Sequence, residues 1–394
     1  MNITKKIALF SLDNIGNTGD ELLGVTTEWL IKRSASWNII KAQFTPLKDK
    51  TLIGKIKSVL LKPYLSVIYR TGIYRNGKSL DFYYRSVYNS YFKKIIADAD
   101  AVMLSVGMLK FATQESSYFF DMITRECQRK DIPVMMSAMS IAKPDRNDWR
   151  YHQLVRAINR ECVKSITTRD GNDGLVLLRD FYIKNSNIRT DYVGDPALWI
   201  PDVYQVNKDL RGGVIGVNLV RKDIYADYGE QTFTPTQLLN LYKGIIEELN
   251  KRGYEWELFC NGMPEDYAVG VELLQTLGLP ANKLRRAPHT GKDLVNNISK
   301  YKAVFGARLH ACITSVSLGV PVAGLLWDKK LHYFSKTMGI RHLFSEGTDL
   351  KAAIIVDKLE AAMKYDLDII NRDRYKQRTA KSIRDFLKCI DSKK

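Results

Sequence analysis

Short apolar runs alternate with longer amphipathic stretches along most of this chain of 394 residues. Residues 101–106, 214–220 and 303–306 have the length and the continuous apolar character of strands that are buried on both faces. Between such runs, stretches such as 235–251 and 264–277 predict helices. Strands and helices that alternate in this way predict parallel sheets covered by helices.

The alternation of strand and helix occurs in both halves of the chain. We therefore predict an α/β protein of two Rossmann-like domains, whose parallel sheets face a central cleft. A polar segment, residues 201–213, ends in Arg211-Gly212-Gly213 and is the best candidate for a linker. We assign residues 1–205 to the N-terminal domain and residues 206–394 to the C-terminal domain. The last segment, 356–390, is predicted to be helical, and it either closes the second domain or crosses back to the first.

The composition is ordinary for a globular protein, with 45% hydrophobic and 26% charged residues. No apolar run approaches the roughly 20 residues needed to cross a bilayer. The first 33 residues also lack the pattern of a secretion signal, so we expect a cytoplasmic protein. The cysteines are far apart and form no Cys-x-x-Cys pair, which predicts reduced, mostly buried thiols and neither disulfides nor a zinc site. They are Cys127, Cys162, Cys260, Cys312 and Cys389.

The net charge of +17 favours an anionic partner. Much of the excess lies in a basic, tyrosine-rich insertion, residues 50–95, in which Asp81 is the one acidic residue. Basic residues mixed with tyrosine and aliphatic residues suit a segment that lies on an anionic membrane surface, at the cytoplasmic face. A solvated pair of basic helices with ordinary core contacts explains the pattern equally well. No recognisable binding motif accompanies the charge, so we do not predict nucleic acid as a partner.

Charged side chains follow two consecutive apolar runs of the second half. Arg308 and His310 come where the run 303–306 turns into a predicted helix, and Lys329 and Lys330 follow the run 321–327. Polar groups at such junctions face the crevice beyond the strand ends, where open α/β sheets bind ligands. One guanidinium, one imidazole and two ammonium groups suit a substrate that carries phosphate and carboxylate.

Two sequence motifs resemble those of the polysaccharide pyruvyl transferase family. The first is the loop Asn14-Ile15-Gly16-Asn17-Thr18-Gly19-Asp20-Glu21, and the second is an Arg-x-His element followed by Gly-x-Pro and a lysine, formed here by Arg308, His310, Gly319, Pro321 and Lys329. The resemblance implies a glycosyltransferase-B-like architecture and a transferase in cell-surface polysaccharide (exopolysaccharide) biosynthesis. It implies phosphoenolpyruvate as the donor and, as the acceptor, a sugar of the polysaccharide or of its lipid-linked precursor. No cofactor and no metal is expected for this chemistry.

The roles of the donor-side residues are hypotheses that combine this resemblance with side-chain chemistry. His310 is the candidate acid and base because imidazole titrates near neutral pH; as an alternative, it is a core histidine bonded to a backbone carbonyl. Arg308 suits a bidentate contact with carboxylate or phosphate. Three further residues are expected to help bind the donor: Arg221, Asn218 and Lys329.

The acceptor sugar is assigned to the N-terminal loop, on the opposite domain from the donor. Asn17, Asp20 and Glu21 would orient its hydroxyls or accept their protons. Alternatively, Asp20 and Glu21 cap the helix that follows and complement its dipole. Both interpretations stay open at this point.

Other family-like elements have structural interpretations that we prefer. Arg169-Asp170 resembles a strand ending of the family but is more typical of an ion pair, and Asp195 in a Gly-Asp-Pro element is expected to cap the following turn. A competing function is a nucleotide-sugar-dependent glycosyltransferase, for which Asp328 or Glu346 would bind ribose hydroxyls. A third possibility is a membrane-associated scaffold without activity.

Overall fold

The computed structural model describes residues 4–12, 16–46, 52–73, 77–111, 116–207, 212–227 and 233–392. The chain forms two compact units. Unit 1 comprises Met1–Asp13, Thr27–Val193 and Arg378–Lys394, and unit 2 comprises Asn14–Thr26 and Gly194–Gln377. Parts of three predicted features lie outside the described residues: Asn14-Ile15 of the N-terminal loop, residues 208–211 of the linker, and residues 50–51 and 74–76 of the basic insertion.

Unit 1 is built on one parallel sheet. Among the residues described, it has seven strands in the order β2-β1-β3-β5-β6-β7, with β4 paired to β5. The strands are β1 (Lys6–Ser11), β2 (Asn38–Gln43), β3 (Ala101–Ser105), β4 (Met108–Leu109), β5 (Val134–Ile141), β6 (Val163–Thr168) and β7 (Arg189–Tyr192). Helix α1 (Thr18–Ser34) belongs to unit 2 up to Thr26 and to unit 1 from Thr27. The other helices here are α2 (Leu52–Leu60), α3 (Lys62–Thr71), α4 (Lys78–Ile96), α5 (Ser116–Arg129), α6 (Trp149–Ile158) and α7 (Gly171–Leu177).

Unit 2 is built on a second parallel sheet, in which the described strands follow the order β12-β11-β10-β8-β9. These strands are β8 (Ile215–Asn218), β9 (Trp256–Phe259), β10 (Ala303–Gly306), β11 (Val322–Leu325) and β12 (Phe344–Ser345). The helices are α8 (Ile200–Tyr204), α9 (Ile224–Asp227), α10 (Pro235–Lys251), α11 (Pro264–Leu277), α12 (Gly291–Ile298), α13 (Leu309–Leu318), α14 (Lys329–Thr337), α15 (Ala352–Lys364) and α16 (Ile369–Asp391).

The predicted α/β class with parallel sheets is confirmed. The central strands β3, β5, β8, β10 and β11 are buried along their whole length, because helices cover both faces of a parallel sheet. The short strand β12 and the edge strands β2 and β7 were not predicted. The edge strands lack a continuous apolar run, because β2 contains Asn38, Lys41 and Gln43, and β7 begins with three polar residues, 189–191.

The two units differ from the predicted domains in three places. The first boundary falls at 193/194 instead of 205/206, residues 14–26 belong to unit 2, and residues 378–394 belong to unit 1. The predicted C-terminal helical segment consists of two helices, α15 and α16, and α16 crosses from unit 2 to unit 1 within its own length.

The basic insertion forms α2, α3 and α4, and most of its tyrosines point inward. Tyr83, Tyr84, Tyr88 and Tyr91 of α4 are all less than 9% exposed. Tyr84 and Tyr88 pack edge-on against Phe119 of α5. The interpretation of these tyrosines as part of a surface segment is therefore wrong, because α4 is a core helix that buries its aromatic face.

Candidate active site

The candidate site lies at the carboxyl edge of the sheet in unit 2. Parallel strands end at one edge, so the residues that follow β8, β9, β10 and β11 meet there. Arg308 follows β10 and is the N-cap residue of α13, with His310 in the first turn of that helix. The predicted strand-helix junction is thus confirmed.

Arg308 is held by a carboxylate that the sequence did not single out. Its Nε donates to Asp266 Oδ2 at 2.8 Å, and its Nη2 donates to Asp266 Oδ1 at 2.5 Å. The Asp266 side chain is fully buried, and the Arg308 side chain is 19% exposed. Trp327 lies beside the guanidinium, with its ring centroid 5.8 Å away. The charge of Arg308 is therefore fixed in place, while the remaining N–H groups of its guanidinium can serve a ligand.

Asp266 also organises the end of β8. Its Oδ1 accepts a hydrogen bond of 2.9 Å from the backbone N–H of Arg221. Asp266 lies in the first turn of α11, so a sequence interpretation would give it only the ordinary role of complementing the helix dipole. The structure shows that this one carboxylate connects Arg221 to Arg308.

Asn218 was predicted to contact the donor, and that prediction is wrong, because the residue is fully buried. Its Oδ1 accepts from the backbone N–H groups of Ala307 and Arg308, at 3.3 and 2.9 Å. Its Nδ2 donates to Asn261 Oδ1 at 3.0 Å. Both ends of the amide are thus used to shape the turn from β10 to α13, which sets the backbone position of Arg308.

Asn261 joins this turn to the N-terminal loop. The Asn261 carbonyl accepts from the backbone N–H of Thr18 at 3.2 Å and from its hydroxyl at 2.8 Å. Gly262 follows with a φ of +97°, and a Cβ there would come within 3.0 Å of the Gly16 carbonyl oxygen. Only glycine fits this close approach. The loop of residues 16–21 is therefore held against the segment that follows β9, within the same unit as Arg308.

His310 is enclosed on two sides. A Cβ added to Gly19 would lie 2.4 Å from His310 Nδ1 and 2.6 Å from its Cβ, so α1 contacts the imidazole directly. On the other side, His310 Nε2 lies 3.9 Å from a carboxylate oxygen of Asp195. Asp195 also caps the turn that follows it, as predicted, by accepting from the Ala197 N–H at 2.8 Å. His310 is 6% exposed, so little of the residue is open to a substrate in this structure.

The three residues assigned to the acceptor have capping or helix-terminus contacts. Asn17 Oδ1 accepts from the Gly19 N–H at 3.2 Å, and its Nδ2 donates to Asp20 at 2.9 Å, so Asn17 caps α1. Glu21 accepts from the backbone N–H of Gly291, the first residue of α12, at 3.1 Å. The prediction that these residues lie on the opposite domain from Arg308 and His310 is wrong, because residues 14–26 pack within unit 2.

Further groups complete the surroundings of the site. Lys329 is exposed at the start of α14, and Asp328 caps that helix and pairs with Lys330 at 3.0 Å.

Burial, with Glu21 and Asp293 nearby, raises the pKa of Tyr204 to about 12. Burial also raises the pKa of the Cys260 thiol to about 11, so it is protonated at neutral pH. In the described part of the chain, no group of three or more His, Cys, Asp or Glu side chains is arranged to hold a metal ion.

Arg169 and Asp170 lie in unit 1, at the end of β6, and both have structural contacts. Arg169 Nη2 donates to the Gly107 carbonyl at 3.0 Å. Asp170 accepts from the Ser140 hydroxyl and the Ile141 N–H, at 2.9 and 2.7 Å. These bonds connect β6 to the ends of β3 and β5.

A family model described as polysaccharide pyruvyl transferase matches residues 17–329. The chain belongs to the polysaccharide pyruvyl transferase family. The match begins at Asn17 and ends at Lys329, so it includes residues 17–21 of the first motif and all of the second. Members of this family are transferases. A search of curated proteins found no match.

The solved structures most similar to this polysaccharide pyruvyl transferase family member include UDP-GlcNAc 2-epimerases. The enzyme from Methanocaldococcus jannaschii has a TM-score of 0.59 and 12% identity, with 98% of this chain and 99% of that chain covered. The enzyme from Neisseria meningitidis, bound to UDP-GlcNAc, has a TM-score of 0.56 and 12% identity over the same shares. The enzyme from Rickettsia bellii has a TM-score of 0.57 and 9% identity, covering 99% and 98%. The GT-B-like fold is thereby shown.

No helix among the described residues is both long enough and apolar enough to span a membrane.

Proposed function

We propose that this protein moves the pyruvyl group of phosphoenolpyruvate onto two hydroxyls of a sugar, as a ketal, with release of phosphate. The sugar would belong to a cell-surface polysaccharide or to its lipid-linked precursor. The observation that carries the proposal is the Arg308 guanidinium, fixed by Asp266 at the carboxyl edge of the sheet beside His310. Both residues lie within the family match.

The reaction requires a proton donor, a proton acceptor and fixed positive charge. Protonation of the methylene carbon of phosphoenolpyruvate produces an oxocarbenium-like centre at the adjacent carbon. A sugar hydroxyl attacks this centre, the bond to phosphate breaks, and a second hydroxyl then closes the ring. The two hydroxyl groups lose one proton each. One proton is accounted for in the new methyl group, and the other protonates the released phosphate.

Arg308 is suited to bind the anionic donor because two of its N–H groups already contact Asp266. A guanidinium that is fixed in advance loses less conformational entropy when it binds a carboxylate or phosphate. Arg221, whose backbone is held by the same Asp266, and Lys329 at the start of α14 would add positive charge around the phosphate. Asn218 acts only through the backbone of Arg308.

His310 would supply and remove the protons. The Asp195 carboxylate, 3.9 Å from Nε2, is placed to stabilise a proton on the imidazole. The restricted exposure of the ring would limit its contact with water and direct it toward the bound substrate. Asn17, Asp20 and Glu21 are only partly buried and remain our candidates for the acceptor hydroxyls, next to His310 rather than opposite to it.

Isothermal titration with phosphoenolpyruvate tests the proposal without knowledge of the acceptor. We expect saturable binding that falls at least about 100-fold in Arg308→Ala, because a charged, bidentate contact is lost. His310→Ala should bind the donor nearly as wild type. Arg374→Ala, which removes an exposed arginine of α16, is the matched control and should have no effect.

The alternative, a nucleotide-sugar-dependent glycosyltransferase, is the other outcome of the same titration. The fold is shared with enzymes that bind UDP-GlcNAc, but the carboxylates considered for ribose are engaged elsewhere. The Asp328 side chain is 7% exposed and paired with Lys330, and Glu346 is paired with Arg341. Binding of uridine or guanosine diphosphate sugars, without binding of phosphoenolpyruvate, would replace our proposal with this alternative.

A further inference from the structure

Helix α2 turns its apolar side away from the protein. Five large aliphatic residues are each between 53% and 75% exposed, and we call them the α2 apolar face: Leu52, Ile53, Ile56, Val59 and Leu60. The one buried residue of the helix is Gly54, on the side that packs against α4. An ordinary surface helix has the opposite orientation, with its apolar stripe toward the core.

The α2 apolar face is continuous and bordered by positive charge. At about 100° per residue, its five members fall within an arc of about 120° around the helix. Lys55 and Lys57 lie about 40° beyond the two ends of that arc. The following helix, α3, adds Lys62 and Arg70, both exposed, and neither helix contains an acidic residue.

This patch is unusual within the chain itself. Of the fourteen large hydrophobic residues that are exposed in the described part, nine lie between Leu52 and Phe82. Scattered apolar residues on a surface need no explanation, whereas a contiguous apolar patch marks an interaction site. An interaction partner is therefore required to account for it.

We propose that the α2 apolar face docks on an anionic phospholipid membrane. Aliphatic side chains would insert among the acyl chains near the headgroups, while Lys55 and Lys57 extend their stems along the helix and place their ammonium groups at the phosphates. Aromatic and arginine side chains typically occupy the centre of protein–protein interfaces, and lysine is depleted there. The α2 apolar face has no aromatic residue and is bordered by lysines, which favours lipid over protein.

The membrane-binding region is thus one face of α2 rather than the whole insertion, residues 50–95. Helix α4 is not part of this region, because its tyrosines are buried. The docking is independent of the proposed reaction, because no residue of the α2 apolar face belongs to the candidate active site. A protein held at a membrane by α2 would nevertheless be close to a lipid-linked acceptor.

Flotation with vesicles tests the proposal on the full-length protein. Vesicles of phosphatidylcholine with about 30% phosphatidylglycerol should bind the wild type, and vesicles of phosphatidylcholine alone should bind it far more weakly. Ile56→Gln/Leu60→Gln should weaken binding about 100-fold, because two aliphatic side chains no longer leave water. Lys55→Gln/Lys57→Gln should weaken it about 30-fold and reduce its dependence on salt.

Two controls separate the α2 apolar face from general surface effects. Val176→Gln removes an aliphatic residue that is 48% exposed outside the patch, and Lys364→Gln removes an exposed lysine of α15. Both should bind vesicles as wild type does. Failure of the wild type to float with anionic vesicles, or equal flotation of Ile56→Gln/Leu60→Gln, overturns the proposal. A dimer in light scattering that dissociates in Ile56→Gln/Leu60→Gln would also overturn it, because a second copy would then cover the patch.

Discussion

The ion pair between Asp266 and Arg308 gives the sharpest test of how the candidate site is built. Ion pairs between exposed side chains are worth about 0.2–1 kcal/mol, whereas breaking a buried pair costs about 3–5 kcal/mol. Asp266 is fully buried and Arg308 is 19% exposed, with two hydrogen bonds between them. We therefore expect a coupling free energy of about 2–3 kcal/mol, nearer to the buried limit.

The assay is a double-mutant cycle of Asp266→Ala, Arg308→Ala and the combined variant, followed by calorimetry. Asp266→Ala should be the more destabilising single change, because it also leaves the Arg221 N–H without its acceptor. Its melting temperature should fall by about 10 °C, since 1 kcal/mol corresponds to about 2–4 °C for a unit of this size. The combined variant should lose much less than the sum of the single losses.

A matched control is the ion pair between Lys222, which follows β8, and Glu272 of α11, the helix that also carries Asp266. Its Nζ–Oε2 distance is 2.8 Å, but the two side chains are 39% and 40% exposed. The same cycle should give a coupling of at most about 1 kcal/mol there. Equal couplings for the two pairs would refute the argument that burial makes Asp266 the anchor of Arg308.

Two further variants probe the packing around His310 and the charges of unit 1. Gly19→Ala should lower the melting temperature by about 4–8 °C, because its Cβ would overlap His310 and force α1 and α13 apart. In the control variant Gly213→Ala, the added Cβ meets open space, so the melting temperature should change by about 2 °C or less. Burial alone would raise the pKa of Asp121, but the Arg160 guanidinium and a second arginine hold it below its usual range. The Asp121 carboxylate therefore stabilises the fold above pH about 4, and this contribution is lost as the pH falls through the pKa of the folded state. The urea midpoints of wild type and Asp121→Asn should therefore converge as the pH is lowered from 7 to 3.

Local sequence patterns predicted much of the secondary structure. Continuous apolar runs located β3, β8, β10 and β11, because a parallel strand buried on both faces leaves few polar positions. Spacing and family resemblance together predicted that Arg308 and His310 lie at a strand-helix junction. The edge strands β2 and β7 were not predicted, because polar residues interrupt any apolar run in them.

The contacts that hold the site together could not be predicted from the sequence, because the residues that form them are far apart in the chain. Asp266 is 42 residues from Arg308, and Asn261 is 243 residues from Thr18. In sequence, the first is only an acid in the first turn of a helix, and the second is one asparagine after a strand. Which side chains meet at a sheet edge depends on the strand order, and periodicity does not encode that order.

The sequence by itself determined the α/β class, the strand–helix rhythm and the positions of the charged groups that the resemblance implies. Only the tertiary structure decided that the N-terminal loop packs beside His310, that Asn218 is a buried support, and that α4 buries its tyrosines. It also decided that α2 directs its aliphatic arc to the solvent. An amphipathic pattern fixes which residues share a helix face, whereas the elements that pack around the helix fix which face is buried.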